Sequence, residues 1–321
     1  MSLKGVIVPL ITPMSEDGSL DKVSLFRLLD HVVTGGVSGV FLFGSCGEGP
    51  VLSPKEKQQM LRAVCQRIKG SVPVLAGIIE PSTEQAYQLG ARFLDIGADY
   101  LVTTPPFYYY YSQDEIYTHF LVLADKLKAP LVLYNITRFT KNTIAPETLR
   151  KITLAAKNVI AIKDSDGDME RFQEYLFIRD HGHANLYVLQ GAEKLAALSL
   201  MCGADGVVLG LANVVPDVCK RLYEAAKARD WETALLLQEQ LTEVGRLYNV
   251  SSWLPSLKAA LNILELCKPY CRLPFLPLNS DQKREIQSIL QKTGVLVYQS
   301  NMPMKTRTTN PVPINGLSCK Q

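Results

Sequence analysis

The chain has 321 residues, 47% of them hydrophobic and 20% charged, with a formal net charge of +3. That composition belongs to a globular protein, and a charge so small and evenly spread gives no reason to expect nucleic-acid or membrane partners. Met1-Ser2-Leu3-Lys4-Gly5 runs straight into a strand without a signal-peptide core, and no apolar run reaches membrane-spanning length. Seven cysteines stand at 46, 65, 202, 219, 267, 271 and 319. Their odd number and irregular spacing predict reduced thiols in a cytoplasmic protein. Cys267 and Cys271 have no second ligand pair, and His31, His119, His181 and His183 form no metal motif. The last two histidines read as a polar loop.

Strands are predicted at 6–11, 37–43, 74–79, 100–103, 131–134, 186–189 and 206–209, with Lys163 ending a further one, the sixth in order. A helix follows from Asp21, with Leu25, Leu28, Leu29 and Val32 on one face. Ser53-Pro54-Lys55-Glu56 is a capping box with proline at the first helical position, and Ser82 to Gln85 repeats the capping pattern. Further helices start near Ser112 and at Pro146.

Eight strand-then-helix units predict a parallel sheet with right-handed crossovers, closed as a (β/α)8 TIM barrel over 1–228. An open doubly wound sheet is the alternative, but no dinucleotide fingerprint follows the first strand. Beyond the barrel, helices at 231–248, 254–266 and 280–292 predict a C-terminal helical extension over 229–297. The aperiodic stretch 298–321 reads as a disordered tail.

In such a barrel, reactive groups sit at the carboxyl ends of strands. The stretch Asn158-Val159-Ile160-Ala161-Ile162-Lys163 carries one cation to such an end. Strict alternation would put Lys163 on the face of Val159 and Ala161, with Ile160 and Ile162 opposite. An amine at the mouth of an apolar interior is poorly solvated, as a Schiff-base lysine must be. The bland alternative is a solvated strand-end lysine. Tyr134 ends its strand in the same way, so a phenol facing the amine could shuttle protons, or simply cap the core. Gly44-Ser45-Cys46-Gly47-Glu48-Gly49 has the form of a backbone nest for an anion, without the ending of a nucleotide loop. Cys46 invites a thiol-nucleophile reading, although no histidine lies near it in sequence. Gly191 and Leu209, at the ends of strands seven and eight, complete the set. Phe107-Tyr108-Tyr109-Tyr110-Tyr111 could equally be an interface patch.

Four of these segments together resemble the dihydrodipicolinate synthase/N-acetylneuraminate lyase family, over about residues 3–295. They are the 44–49 loop for its GTTGE-type loop, Pro105-Pro106-Phe107-Tyr108 for its aromatic segment, Tyr134-Asn135-Ile136, and Ile162-Lys163-Asp164. The resemblance implies a class I aldolase in which Lys163 forms an imine with pyruvate or another 2-oxo acid and Tyr134 moves protons. Ser45 and the Cys46 and Gly47 backbone would hold the carboxylate, and Tyr108 would complete a proton relay across a subunit interface. It also implies a homotetramer with no metal or organic cofactor.

The departures bear on the substrate. Cys46 replaces a hydroxyl residue, Thr137 stands where the family has proline, and the synthase arginine position is Phe139, with Arg138 one place early. The leading expectation is therefore a lyase that splits the C3–C4 bond of a 2-keto-3-deoxy, 4-hydroxy acid into pyruvate and an aldehyde. The alternatives are 4-hydroxy-tetrahydrodipicolinate synthase, N-acetylneuraminate lyase and, more remotely, a phosphate-binding barrel enzyme or a non-catalytic homologue.

Overall fold

The computed structural model describes residues 2–68, 70–182 and 185–296. The tail 298–321, with Cys319, and His183 lie outside them. Eight strands, β1 (Gly5–Pro9), β2 (Gly39–Leu42), β3 (Val74–Gly77), β4 (Tyr100–Thr103), β5 (Leu131–Asn135), β6 (Val159–Asp164), β7 (Tyr187–Gln190) and β8 (Gly206–Val208), form a closed barrel in sequence order. Every neighbouring pair is parallel, and β8 returns to β1. The structure is the expected (β/α)8 barrel.

The helices on its outside are α1 (Lys22–Thr34), α2 (Pro54–Ile68), α3 (Thr83–Ile96), α4 (Gln113–Leu127), α5 (Thr137–Thr140), α6 (Pro146–Ala155), α7 (Met169–Asp180), α8 (Ala196–Met201) and α9 (Pro216–Lys227). Then come α10 (Trp231–Val244), α11 (Trp253–Ile263) and α12 (Ser280–Lys292). Local chemistry sets many of the starts. Asp21 caps α1 through the Ser24 N–H, Ser53 and Glu56 bond reciprocally ahead of α2, and Ser112 and Glu115 close a capping box on α4. On α1 the apolar stripe Leu25, Leu28, Leu29 and Val32 is fully buried.

Two apolar layers result. One cluster draws a residue from every strand, including Ile7, Phe41, Leu75, Val102, Val132, Ala161, Leu189 and Val208, and so fills the barrel. The other lies between strands and helices. The predicted alternation in β6 fails at one point. The register slips between Leu131 and Val132, so Val159 and Ala161 become the successive partners on β6 and Ile160 is extra. This bulge sends Val159 to the outer layer and leans Ile160 on the inner one. Past the bulge, Ala161 and Lys163 share the inner face.

Three helices differ from expectation, and the one expected over 254–266 runs Trp253–Ile263. The segment 231–248 is helical only to Val244, where the tighter turn Gly245–Asn249 takes over. The short α5, which carries Arg138, has no apolar period to announce it.

Candidate active site

The β5–β6 register sets Tyr134 directly beside Lys163 at the carboxyl ends of the two strands. Lys163 is 5% exposed and Tyr134 3%. The Lys163 Nζ lies 3.7 Å from the centroid of the Tyr134 ring and 5.1 Å from that of Phe41, which meets Tyr134 edge-on. Among the described residues no carboxylate pairs with this amine and no protein group hydrogen-bonds it. Buried cations are ordinarily paired, so the amine is held among ring faces with its nitrogen free.

Gly191 shows why the lysine sits so closely. Its N–H donates to Asp164 O at 2.6 Å, and a Cβ there would lie 2.9 Å from Lys163 Cε and 2.0 Å from Ser165 Oγ. Any side chain at 191 would displace the lysine stem. Behind the amine, Asn135 Nδ2 donates to Asp164 and Asp166, each at 3.0 Å, and Arg171 bonds the same two carboxylates at 3.1 and 2.9 Å. Burial pushes the Asp164 carboxyl above its ordinary value, opposed by Arg171 and by the Asp166 N–H. Thr137, at the start of α5, uses an N–H that a proline would lack. Its N–H and hydroxyl both donate to Asp166, at 2.8 and 2.6 Å, which anchors α5.

The 44–49 loop is packed backbone against backbone. A Cβ on Gly49 would fall 1.8 Å from Phe43 O, and one on Gly47 would fall 2.9 Å from Phe43 N. Thr12 Oγ1 donates to Gly47 O at 2.6 Å. Ser45 and Cys46 keep some exposed surface in the mouth. Burial pushes the Cys46 thiol up to about 12, despite the opposing charge of Lys163. A thiol raised in this way favours its protonated form, which counts against the thiol-nucleophile reading.

Opposite this loop stands a group that the sequence did not single out. A point one Cβ away from Gly210 lies 3.0 Å from the Tyr248 hydroxyl, 3.3 Å from Cys46 Sγ and 3.3 Å from Glu193 Oε1. Glu193 Oε1 accepts from the Leu211 N–H at 2.6 Å and the Tyr248 hydroxyl at 3.5 Å. Burial pushes its carboxyl up to about 7, against those hydrogen bonds and the charge of Lys163. Glu193 could have been found as an acid in the loop after the seventh strand. Tyr248 could not, because nothing local brings residues beyond the barrel to its mouth.

The remaining predicted residues are not brought into this cluster. Leu209 turns its side chain into the outer layer, and its carbonyl accepts from the Ala212 N–H at 3.1 Å. Arg138 is exposed on α5 with its guanidinium 5.1 Å from the Phe139 ring, although its charge reaches Cys46. Tyr108 is 79% exposed at a φ of 88° and stacks edge-on with Tyr109.

At the carboxyl ends of its strands the closed barrel thus carries a buried amine, without an ion pair among the described residues, against the ring face of a tyrosine. The chain belongs to the dihydrodipicolinate synthetase family, whose profile matches residues 2–293. It is thus an enzyme of the class I aldolase and lyase type. It is 32% identical to a 4-hydroxy-tetrahydrodipicolinate synthase of Bartonella bacilliformis, over 92% of this chain and 99% of that protein. Among solved structures it is similar to dihydrodipicolinate synthase from Bacteroides thetaiotaomicron, with 34% identity and a TM-score of 0.86 over 91% of this chain and 99% of that one. YagE, a prophage protein of the same family from E. coli K12 solved in complex with pyruvate, is 25% identical, with a TM-score of 0.88 over 92% and 100%.

Proposed function

We propose that the enzyme is a pyruvate-dependent lyase, carried above all by the buried, unpaired Lys163 amine beside Tyr134. Lys163 attacks the C2 carbonyl of a 2-oxo acid and expels water, giving a protonated imine. The amides at Ser45, Cys46 and Gly47 take the acid's carboxylate. With the imine as electron sink, a base removes the C4 hydroxyl proton, the C3–C4 bond breaks and an aldehyde leaves. The electron pair passes into an enamine, which is protonated at C3 and hydrolysed to release pyruvate. Tyr134, whose ring lies against the amine, carries these protons in this reading.

Glu193, Tyr248 and Cys46 favour a hydroxylated aldehyde half. Near neutral pH a carboxyl titrating at about 7 both donates and accepts, as hydroxyl recognition needs, and it would repel a second carboxylate. The second reading is synthesis from pyruvate and aspartate semialdehyde, favoured by the names of the curated relatives and by the reach of the Arg138 charge. The exposed Tyr108, Tyr109 and Tyr110 fit burial against another copy, as in a homotetramer. The six described cysteines, all free, fit a reducing, cytoplasmic setting.

Pyruvate release from a panel of 2-keto-3-deoxy sugar acids, sialic acid and 4-hydroxy-2-oxoglutarate tests the lyase. Turnover of a panel member is expected. Activity confined to aspartate semialdehyde, lost in Arg138→Ala, would establish the synthase instead.

A further inference from the structure

The loop bearing Ser45 and Cys46 is tied to the far end of the chain by an ion pair out of reach of water. Lys258, on α11, is 0% exposed. Its Nζ donates to Glu48 Oε1 at 2.5 Å, Thr12 O at 2.8 Å and Tyr270 O at 2.6 Å. An ammonium has three donors, and all are used. Glu48 Oε2 in turn accepts the Arg272 N–H at 2.8 Å, and the Arg272 guanidinium pairs with Glu56 in the first turn of α2. Three parts of the chain therefore meet at one nitrogen: the loop after β1, the loop after β2 and the segment following α11.

Glu48 is itself built into the loop. It holds the left-handed conformation at a φ of 56°, its N–H donates to Ser45 O at 3.3 Å, and the Gly49 N–H closes on Gly44 O at 3.2 Å. A displacement of Glu48 passes directly to Ser45 and Cys46. Stability alone is a poor reason for such a pair, since neutral residues of similar shape often serve as well. What three directional bonds to a rigid ammonium provide is position.

We propose that Lys258 and Glu48 are positioning residues that hold the amides of the 44–49 loop in the geometry that grips the substrate carboxylate. The C-terminal helical extension is then a working part of the binding site. This rests on the reading of that loop as the 2-oxo acid's carboxylate site.

The test is borohydride trapping at Lys163, read by mass spectrometry across a concentration series. It compares pyruvate with methyl pyruvate, which has the same ketone and no carboxylate. No wild-type adduct with pyruvate would reject the imine reading and this proposal with it. In Glu48→Asp, which keeps the charge and shortens the reach, half-saturating pyruvate is expected to rise about tenfold while methyl pyruvate is unchanged. The neutral pair Lys258→Met/Glu48→Gln should give the same loss of preference if the shorter acid does not fold. A readout on wild type needs no variant: pyruvate should slow hydrogen exchange in 44–49 and in 253–272 together. Equal losses for both ketones, an unchanged preference for pyruvate in a folded variant, or protection of 44–49 alone would overturn the proposal.

Discussion

Lys163 and Lys258 are both buried in this molecule, at 5% and 0% exposure, yet their surroundings differ in kind. Lys258 is ringed by oxygen: one carboxylate and two carbonyls, each within 2.8 Å. Lys163 sees the faces of Tyr134 and Phe41 and, among the described residues, forms no close ion pair, although its charge is felt by Glu193. The difference teaches how to read a buried lysine. With every donor satisfied, the amine is a fixed bracket between chain segments. Without a close partner, a buried amine is the kind of group that can serve as a nucleophile, which is the role proposed for Lys163.

The sharpest way to break this contrast is to alter the free amine. Lys163→Arg keeps the cation and removes the nucleophile, and should lower turnover by about 10⁴-fold or more. Borohydride should then leave no pyruvate-derived mass on the protein, and a labelled variant would refute the assignment. Tyr134→Phe should lower kcat by about 10² to 10⁴-fold while the adduct at Lys163 still forms. Loss of the adduct as well would make Tyr134 a packing residue.

Lys258→Met probes the other side. It leaves Glu48 buried without its partner and should cost about 3–5 kcal/mol of stability, measured by denaturant unfolding. Lys163→Met should cost far less, since no ion pair is broken. Equal losses would mean that the two lysines are not the different objects described above.

The smallest effect concerns Glu193. Its carboxyl is raised from the ordinary 4.5 to about 7, so the folded protein binds a proton where the unfolded chain has released it. Stability contributed by this group is present below about pH 4.5 and declines as pH rises towards 7. Allowing for its partial exposure, the decline is on the order of 1–2 kcal/mol. Glu193→Gln removes it, so the stability difference between variant and wild type should grow across that window and level off above it. A constant difference from pH 4 to 8 would show that the carboxyl is not raised.

Much of the architecture was legible in the chain. Capping residues such as Ser53 with Glu56 and Ser112 with Glu115 act within four residues, and the stripe Leu25, Leu28, Leu29 and Val32 needs only the helical period. Lys163 and Tyr134 were legible too, as polar groups ending apolar strands. Arg138 was harder to place, because α5 hangs on the bonds of Thr137 to Asp166 across β5 and β6. Glu193 and Tyr248 stand 55 residues apart, and Glu48 and Lys258 stand 210 apart. No pattern of local period or spacing links such pairs.

The amino-acid sequence by itself determined the order of strands and helices, the closure of eight parallel units and the residues delivered to the carboxyl end of the barrel. These follow from side-chain period and capping, which act over a few residues. Only the tertiary structure decided which groups face one another there. The β6 bulge settled which neighbours share the inner face with Lys163, and the folding back of the chain beyond 229 brought Tyr248 to Glu193 and Lys258 to Glu48. Desolvation and pairing depend on what surrounds an atom in space, and that is where a free amine and a locked one part company.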